Sequence, residues 1–459
     1  MLKRAAMTTE KIARFIANTS YEKVPGEAIH IAKMCLLDCL GVALAGTTES
    51  TSKIITEYVR EMGGKPESGV IGGGYKTTAA FSALANGTIA HALDFDDYAI
   101  TSACHPTVVL LSAIFALANR DGLSGRKILE SYIVGWEVGS KLGNELSPAL
   151  QARGWHPTST IGTVAATAAC SKLLGLTTSQ AQTAMGIAAS EASGLSKNFG
   201  TDTKPFHAGK AASNAITAAL LAQKGFTASP DMLEGPGGFC QVLANKECNP
   251  GAFAQTPDAA FEILTSYAIK PYPSCGLTHR CIDATLDLVK KHRITPDRVT
   301  QVECHIPPMF TKILVYSRPQ NGLEAKFSME YCIAAALVDQ EITLRQFVDE
   351  TVLSSEAKDL IPKVMLCLLA GVEKQNIVAI PQAVKITLSD GNEYFHEIRW
   401  PRGSAGNPMT WDEVVAKFRN CAEDALALKD VDRVTDLLSR LESLANIDEL
   451  MEIVAKTRL

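Results

Sequence analysis

Residues 203–223 have the sequence TKPFHAGKAASNAITAALLAQ, which predicts the kind of helix that builds the core of this protein. Alanine and other small residues dominate it from residue 208 onward, and Pro205 stands where a helix tolerates proline, in the first turn. Small side chains let helix axes approach closely. Residues 162–171 and 181–193 have the same composition. The sequence therefore predicts a core of closely packed, small-residue helices.

Helical periodicity extends outward from these runs. Thr8 and Thr177 precede periodic segments as N-cap residues do, and Pro106 and Pro157 mark two further helix starts. Apolar residues recur at spacings of three and four in residues 12–16, 29–42 and 128–138. The chain is therefore predicted to be helical almost throughout residues 8–261.

The pattern changes after Lys270. Alternating β-branched and aromatic residues predict strands at 299–306, 383–388 and 394–400. Residues 389–392, Ser-Asp-Gly-Asn, are typical of a hairpin turn between the last two. Helices are predicted at 281–291, 328–338, 344–347, 414–424 and 431–444. The fold class is therefore mainly α, with a helical domain built from residues 1–268 and 403–459 and an inserted α/β domain at 269–402.

Composition and charge exclude several classes of protein. Hydrophobic residues make up 46% of the chain and charged residues 20%, as in ordinary globular proteins. The net charge is −5 and the basic residues are dispersed, which argues against a nucleic-acid surface. No apolar run reaches the roughly 18 residues that span a bilayer. We therefore expect a cytoplasmic protein with no membrane partner, starting naturally at Met1 or Met7.

The chain has twelve cysteines but no CxxC pair, and Cys35 and Cys39 lie four apart in an apolar stretch. Zinc and iron–sulfur sites need tighter clusters of cysteine and histidine. No glycine-rich segment has the context of a nucleotide motif either. The sequence therefore predicts buried reduced thiols, no metal and no cofactor.

Histidines concentrate in polar islands beside proline or glycine. The first island is His91 to Tyr98, with sequence HALDFDDY, followed by His105-Pro106. Its three carboxylates within four residues cost free energy unless they are hydrated, paired or functional. A solvated helix end with capping aspartates is the alternative. The second island repeats the arrangement with His156-Pro157, and histidine suits proton transfer because its pKa lies near neutrality.

The third island brings Lys204, His207 and Lys210 to the start of the alanine-rich helix. Helix N-termini favour anions, so this segment is predicted to hold a carboxylate, with an exposed basic turn as the alternative. The fourth island, residues 270–280, contributes Lys270, His279 and Arg280. Such acids, bases and cations together suit proton removal next to a carboxylate.

These motifs resemble the MmgE/PrpD family, in family order and over nearly the whole chain. The matching stretches are residues 86–98, 105–106, 155–157, 204–207, 225–227, 270–273, 324–328, 401–403 and 408–410. The resemblance implies a large all-α domain made from both termini and a smaller α/β lid, usually in a homodimer. The family contains 2-methylcitrate dehydratase, cis-aconitate decarboxylase and iminodisuccinate epimerase.

Similarity to the decarboxylase branch implies the residues that line the site: Asp94, His105, His156, Lys204, Lys270 and Tyr316. Tyr98, His207, His279 and Arg280 are predicted to bind substrate with them. Two positions depart from that branch. Cys275 stands where it has a histidine, and Tyr98 where it has a small hydroxyl residue.

The sequence therefore predicts a lyase that dehydrates or decarboxylates a small di- or tricarboxylate without a metal. His105 and His156 would exchange protons, Asp94 would orient a histidine, and Tyr316 would donate a hydrogen bond. The cations would hold the carboxylates in a cleft that closes over the substrate. An epimerase of a dicarboxylate such as iminodisuccinate, and a carboxylate-binding protein without chemistry, are the alternatives.

Overall fold

A computed structural model describes residues 8–247, 261–353, 355–372 and 380–456. Its α-helices are α1 (Thr8–Asn18), α2 (Gly26–Gly46), α3 (Ser50–Met62), α4 (Ala79–His91), α5 (Pro106–Asp121), α6 (Gly125–Ala152), α7 (Pro157–Leu173), α8 (Thr178–Glu191), α9 (Thr203–Gln223), α10 (Phe239–Ala244), α11 (Ile263–Ser266), α12 (His279–His292), α13 (Gly322–Ala325), α14 (Met329–Asp339), α15 (Asp349–Val352), α16 (Ser355–Leu360), α17 (Trp411–Ala422), α18 (Leu428–Ser439) and α19 (Asp448–Val454). Its strands are β1 (Ser68–Gly69), β2 (Lys76–Thr77), β3 (Tyr98–Ala99), β4 (Tyr267–Ala268), β5 (Val299–Ile306), β6 (Val364–Leu368), β7 (Gln382–Leu388) and β8 (Glu393–Ile398). The predicted mainly α fold is confirmed.

The chain forms two compact units, one of residues 1–269 with 410–459 and the other of residues 270–409. The first is helical apart from short strand pairs, and the second combines helices with a four-stranded sheet. The boundaries expected from the sequence were 268/269 and 402/403.

Two glycines bring α4 and α9 together in the first unit. A Cβ at Gly87 would lie 2.7 Å from Cα of Gly209, and one at Gly209 would lie 2.1 Å from the carbonyl oxygen of Leu84. The helices run antiparallel, and α7 packs against α9. This backbone contact places the C-terminal end of α4 beside the N-terminal start of α9.

The small-residue helices begin where the sequence predicts. Pro106 and Pro157 occupy the first turns of α5 and α7. Thr177 caps α8 in a capping box with Gln180, in which each side chain accepts a hydrogen bond from the other residue's backbone N–H. The prediction of one helix over residues 431–444 is wrong: α18 ends at Ser439. The following turn packs against the start of α6, so tertiary contacts override helical periodicity there.

Helix α2 corrects the expectation that no segment is long enough to span a bilayer. Its 21 residues are long and apolar enough, because Lys33 and Asp38 interrupt the run without breaking the helix. However, 83% of its most apolar window is buried inside the protein. Asp38 is ion-paired at 2.6 Å with Lys417 of α17. Helix α2 therefore forms part of the core in this structure.

The second unit is built on a sheet with strand order β6-β5-β7-β8. Strand β5 is parallel to β6 and antiparallel to β7, and β7 and β8 form the predicted hairpin. Gly391 has φ 83° in its turn, a conformation that favours glycine. Strand β6 was not predicted, because its sequence VMLCL does not alternate.

Most of the cysteines in the described residues follow the predicted pattern. Ten have free thiols, and eight of these are buried. Cys240 is disulfide-bonded, so the expectation of reduced thiols is wrong there. Spacing along the chain does not reveal which cysteines a fold brings together.

Candidate active site

The connection between α4 and α5 turns tightly at two left-handed residues. Asp94 has φ 52° and Ala103 has φ 51°, conformations that cost side-chain-bearing residues about 1 kcal/mol or more. Between them, β3 pairs with β4, and the backbone N–H of Ala99 donates to the carbonyl of Cys104 at 2.8 Å. This strained loop fixes the residues that follow α4 and the histidine that precedes α5.

His105 and His156 occupy equivalent positions in two packed helices. Each is the N-cap residue, followed by proline at the first helical position, of α5 and α7 respectively. The backbone N–H of His105 donates to Oγ1 of Thr158 at 3.1 Å, which ties the two helix starts together. The repeated His-Pro motif therefore places two imidazoles in one region.

Lys204 and Asp94 form a buried ion pair. Nζ of Lys204 lies 2.8 Å from Oδ1 of Asp94, whereas Nε2 of His105 lies 3.9 Å from that oxygen. The ammonium also stands 5.9 Å from the ring centroid of Phe199. Asp94 therefore primarily positions the lysine. The sequence had assigned it to orient a histidine.

Asp96 lies between two imidazoles. Its Oδ1 is hydrogen-bonded to Nδ1 of His91 at 2.9 Å, and its Oδ2 lies 2.9 Å from Nδ1 of His105. The second contact is close enough for an ion pair but lacks hydrogen-bond geometry. Asp96 is fully buried, while 17% of the His105 side chain is exposed. Asp96 is therefore the carboxylate that holds the accessible histidine.

His156 contacts a second histidine. Its Nδ1 lies 3.1 Å from Nδ1 of His207 on α9, so one ring donates and the other accepts. The backbone N–H of His156 donates to the carbonyl of Gly194 at 2.9 Å, and Phe199 packs edge-on against its ring at 4.9 Å. When Nδ1 of His156 is the donor, its Nε2 carries a lone pair, as a general base requires.

Burial keeps three of the histidines neutral. It lowers the pKa of His91 to about 4, although the Asp96 carboxylate acts in the opposite direction. It also lowers the pKa of His156 well below its usual value and that of His207 below its usual value, and the Lys204 charge adds to both effects. In the neutral state, His156 can act as a proton acceptor.

The neighbouring residues Asp96 and Asp97 have pKa values shifted in opposite directions. Burial alone would raise the pKa of Asp96, but its contacts with His91 and His105 outweigh burial and hold it well below the usual value. Burial raises the pKa of Asp97 well above the usual value, and the hydroxyl of Thr107 donates to it at 2.6 Å. The histidine contacts therefore favour the anion at Asp96, whereas burial favours the neutral acid at Asp97.

Four residues of the cluster have the donor atoms of a metal site. His91, Asp94, Asp96 and His105 each bring one ligand atom within 4.8 Å of the others. However, the Lys204 ammonium already contacts Asp94, and Asp96 already accepts a hydrogen bond from His91. The donor set would suit a cation only if Lys204 moved away. The absence of a metal stays a prediction.

The neutral state of His91 predicts acid sensitivity. Its pKa of about 4 in the folded protein lies below its ordinary 6.5, so the unfolded chain binds more protons between these values. The stabilising contribution is therefore complete above pH 6.5 and is lost as the pH falls through about 4. Its slope reaches at most about 1.4 kcal/mol per pH unit.

We expect the free energy of unfolding to fall less steeply between pH 6.5 and 4.5 in His91→Gln than in the unaltered protein. Chemical denaturation at several pH values measures both slopes. The comparison cancels other titrating groups, and His30→Gln, an exposed histidine of the same unit, is the control. Equal slopes in all three proteins would show that His91 is not held neutral.

The structure brings together six of the predicted residues within the first unit. They are Asp94, Tyr98, His105, His156, Lys204 and His207. Lys210 of the third island is exposed on α9 and does not join them. Sequence reasoning missed Asp96, His91 and Phe199 as site residues. The first two lay in the quoted island HALDFDDY, but no spacing rule distinguished Asp96 from its neighbours.

The other four predicted residues belong to the second unit: Lys270, His279, Arg280 and Tyr316. Lys270 is buried, and Nε2 of His279 lies 3.2 Å from the carbonyl of Ser274. Nε of Arg280 donates to the carbonyl of Arg399 at 3.0 Å, and Tyr316 is half-buried. Their roles as substrate-binding groups stay predictions.

Comparison with known families decides what kind of protein carries this cluster. A family model of the MmgE/PrpD N-terminal domain matches residues 10–250, and one of the C-terminal domain matches residues 272–442. The chain belongs to the MmgE/PrpD family. The resemblance inferred from the motifs is thereby confirmed, and the matched regions include both units.

This MmgE/PrpD protein is similar over most of its length to named relatives. Cis-aconitate decarboxylase of Mus musculus is 28% identical over 459 residues, covering 97% of this chain and 93% of the relative. Cis-aconitate decarboxylase of Homo sapiens is 27% identical over 460 residues, covering 97% and 94%. Mitochondrial 2-methylcitrate dehydratase of Yarrowia lipolytica is 25% identical over 456 residues, covering 91% and 86%.

Proposed function

We propose that this protein is a lyase that acts on a small tricarboxylate, releasing carbon dioxide from an aconitate-like acid or water from a citrate-like acid. The observation that carries the proposal is the cluster of two helix-capping histidines with a buried Lys204–Asp94 ion pair. Support comes from the relatives, which are named as a decarboxylase and a dehydratase.

Both reactions place negative charge on a carbon near a carboxylate. In decarboxylation the bond to the leaving carboxylate breaks, its electron pair stays on carbon, and a proton from an acid restores a C–H bond. In dehydration a base takes a proton from carbon, the electron pair forms the double bond, and the hydroxyl leaves with a proton from an acid. A preorganised cation stabilises the charge that develops in either case.

The residues divide these tasks. Lys204, held by Asp94, supplies the cation. Neutral His156 accepts a proton through Nε2 while its Nδ1–H donates to His207. His105, the more exposed imidazole, delivers a proton to carbon or to the leaving hydroxyl, and Asp96 orients its ring. Dehydration uses both proton carriers, one as the base and one as the acid. Decarboxylation needs only the acid.

The remaining predictions concern features beyond this cluster. Lys270, Arg280, His279 and Tyr316 are proposed to bind the substrate's other carboxylates. A homodimer and a cytoplasmic location stay predictions from the sequence. The proposed chemistry uses only the protein's own acids, bases and cations.

Proton NMR of the purified protein in D2O tests the proposal with citrate, 2-methylcitrate, cis-aconitate and iminodisuccinate as a panel. We expect one tricarboxylate to be converted, and the product spectrum distinguishes loss of carbon dioxide from loss of water. Deuterium entering a dicarboxylate carbon without net conversion would replace the lyase by an epimerase. Unchanged spectra for the whole panel would count against the proposed substrate class.

A further inference from the structure

A second group of metal-ligating side chains lies on the sheet of the second unit. Glu303 and His305 are two residues apart on β5, so their side chains point to the same face. Cys367 is the register partner of His305 on the parallel strand β6. Strand pairing therefore places a carboxylate, an imidazole and a thiol side by side. This arrangement does not depend on the proposed catalytic reaction.

The distances suit coordination of one ion. Nε2 of His305 lies 3.6 Å from Oε2 of Glu303, and Sγ of Cys367 lies 3.9 Å from the same oxygen. All three ligand atoms lie within 4.8 Å of one another. Tetrahedral zinc, with bonds of about 2.0–2.3 Å, separates its ligands by about 3.3–3.8 Å. Small side-chain adjustments would complete that geometry.

The surroundings leave one carboxylate oxygen available for an ion. Oε1 of Glu303 pairs with Nζ of Lys385 at 2.8 Å, whereas Oε2 faces His305 and Cys367. Lys385 also lies 3.5 Å from Glu393, so a second carboxylate can hold the ammonium when a cation arrives. His305 and Glu303 are partly exposed, with 31% and 19% of their side chains accessible. An ion can therefore enter from solvent, with water in the fourth position.

We propose that Glu303, His305 and Cys367 form a binding site for zinc or a chemically similar divalent ion on this face of the sheet. Thiolate and imidazole ligands favour zinc over magnesium and calcium. Binding releases the Cys367 thiol proton to solvent and forms the metal–sulfur bond. The ion ties the edge strand β6 to the central strand β5, and it stabilises the folded chain by mass action.

Titration of the purified full-length protein with Co²⁺ tests the site. We expect one equivalent to produce a thiolate-to-cobalt charge-transfer band with tetrahedral visible bands, and Zn²⁺ to abolish both. The charge-transfer band is decisive because the His91, Asp94, Asp96 and His105 cluster contains no cysteine. Zn²⁺ should also raise the melting temperature.

Matched variants assign the ligands. Cys367→Ser should lose the charge-transfer band, and His305→Ala should weaken binding at least about tenfold, a loss typical of disturbed metal sites. Cys275→Ser and His396→Ala alter partly or fully exposed residues of the same unit and should bind as the unaltered protein does. Circular dichroism checks that each variant is folded. Absence of the band, or its persistence in folded Cys367→Ser, would overturn the proposal.

Discussion

The His156→Ala protein is expected to lose turnover by a factor of about 10² to 10⁴ while keeping its fold, the range typical of a removed acid–base group. Burial lowers the pKa of His156 well below its usual value, and when its Nδ1 donates the hydrogen bond to His207 its Nε2 can accept a proton. Alanine provides no proton acceptor. Steady-state kinetics on the substrate identified by NMR measure the loss.

Controls separate loss of chemistry from loss of structure. His156→Gln refills most of the space and should remain inactive, because an amide does not exchange protons near neutrality. His30→Ala removes an exposed histidine of the same unit and should retain full activity. Binding of the substrate to His156→Ala, measured by calorimetry, should be weakened far less than turnover. Near-normal turnover of folded His156→Ala would remove this residue from the mechanism.

The helical core was predictable because its determinants are local. Each determinant involves only a few neighbouring residues: proline in a first turn, a hydroxyl N-cap or a run of alanine. Helices α5, α7, α8 and α9 begin close to these sequence positions. The contact between Gly87 and Gly209 could not be predicted in this way. It joins residues more than a hundred positions apart, and no single segment reveals its partner.

The same distinction explains what was missed in the second unit. Strands β5, β7 and β8 alternate in polarity or are joined by a hairpin turn, which are local signals. Strand β6 pairs in parallel with β5 from about sixty positions away, and its apolar sequence is compatible with several structures. Only the tertiary fold selects the extended conformation.

The acidic island shows the limit of sequence reasoning at the site. Its three carboxylates were expected to be hydrated, paired or functional, and Asp94, Asp96 and Asp97 are all buried, which argues against the alternative of a solvated helix end. Each is accommodated differently: Asp94 pairs with Lys204, Asp96 contacts two imidazoles, and Asp97 accepts a hydrogen bond from Thr107 while burial raises its pKa. Only Lys204 is distant in sequence, whereas His91, His105 and Thr107 lie within ten residues of the aspartates that they contact. The folding of the connecting loop decides which partner each carboxylate meets, so the individual roles could not be assigned from the sequence.

The second large expected effect is a loss of kcat when Asp96, which contacts two histidines, is replaced. Asp96→Asn is expected to lower kcat by about 10² to 10⁴, as when a catalytic histidine loses the carboxylate that fixes its tautomer. Asparagine is uncharged and presents one acceptor oxygen, so it cannot both accept the hydrogen bond from Nδ1–H of His91 and form an ion pair with His105. The amide N–H of asparagine would then face Nδ1–H of His105, and two donors repel each other. The His105 ring would therefore turn or change tautomer. KM should change little, because Lys204 and Asp94 are untouched.

Asp97→Asn is the matched control for this positioning role. Asp97 is equally buried and adjacent in sequence, but burial favours its neutral form and it accepts a hydrogen bond from Thr107, an arrangement that asparagine preserves. Its kcat should stay within a few-fold of normal. Of the two variants, only Asp96→Asn should shift the pH profile of kcat, because Asp96 contacts His105 whereas Asp97 contacts Thr107. Equal losses in the two variants, with unchanged profiles, would mean that Asp96 supports the fold without positioning His105.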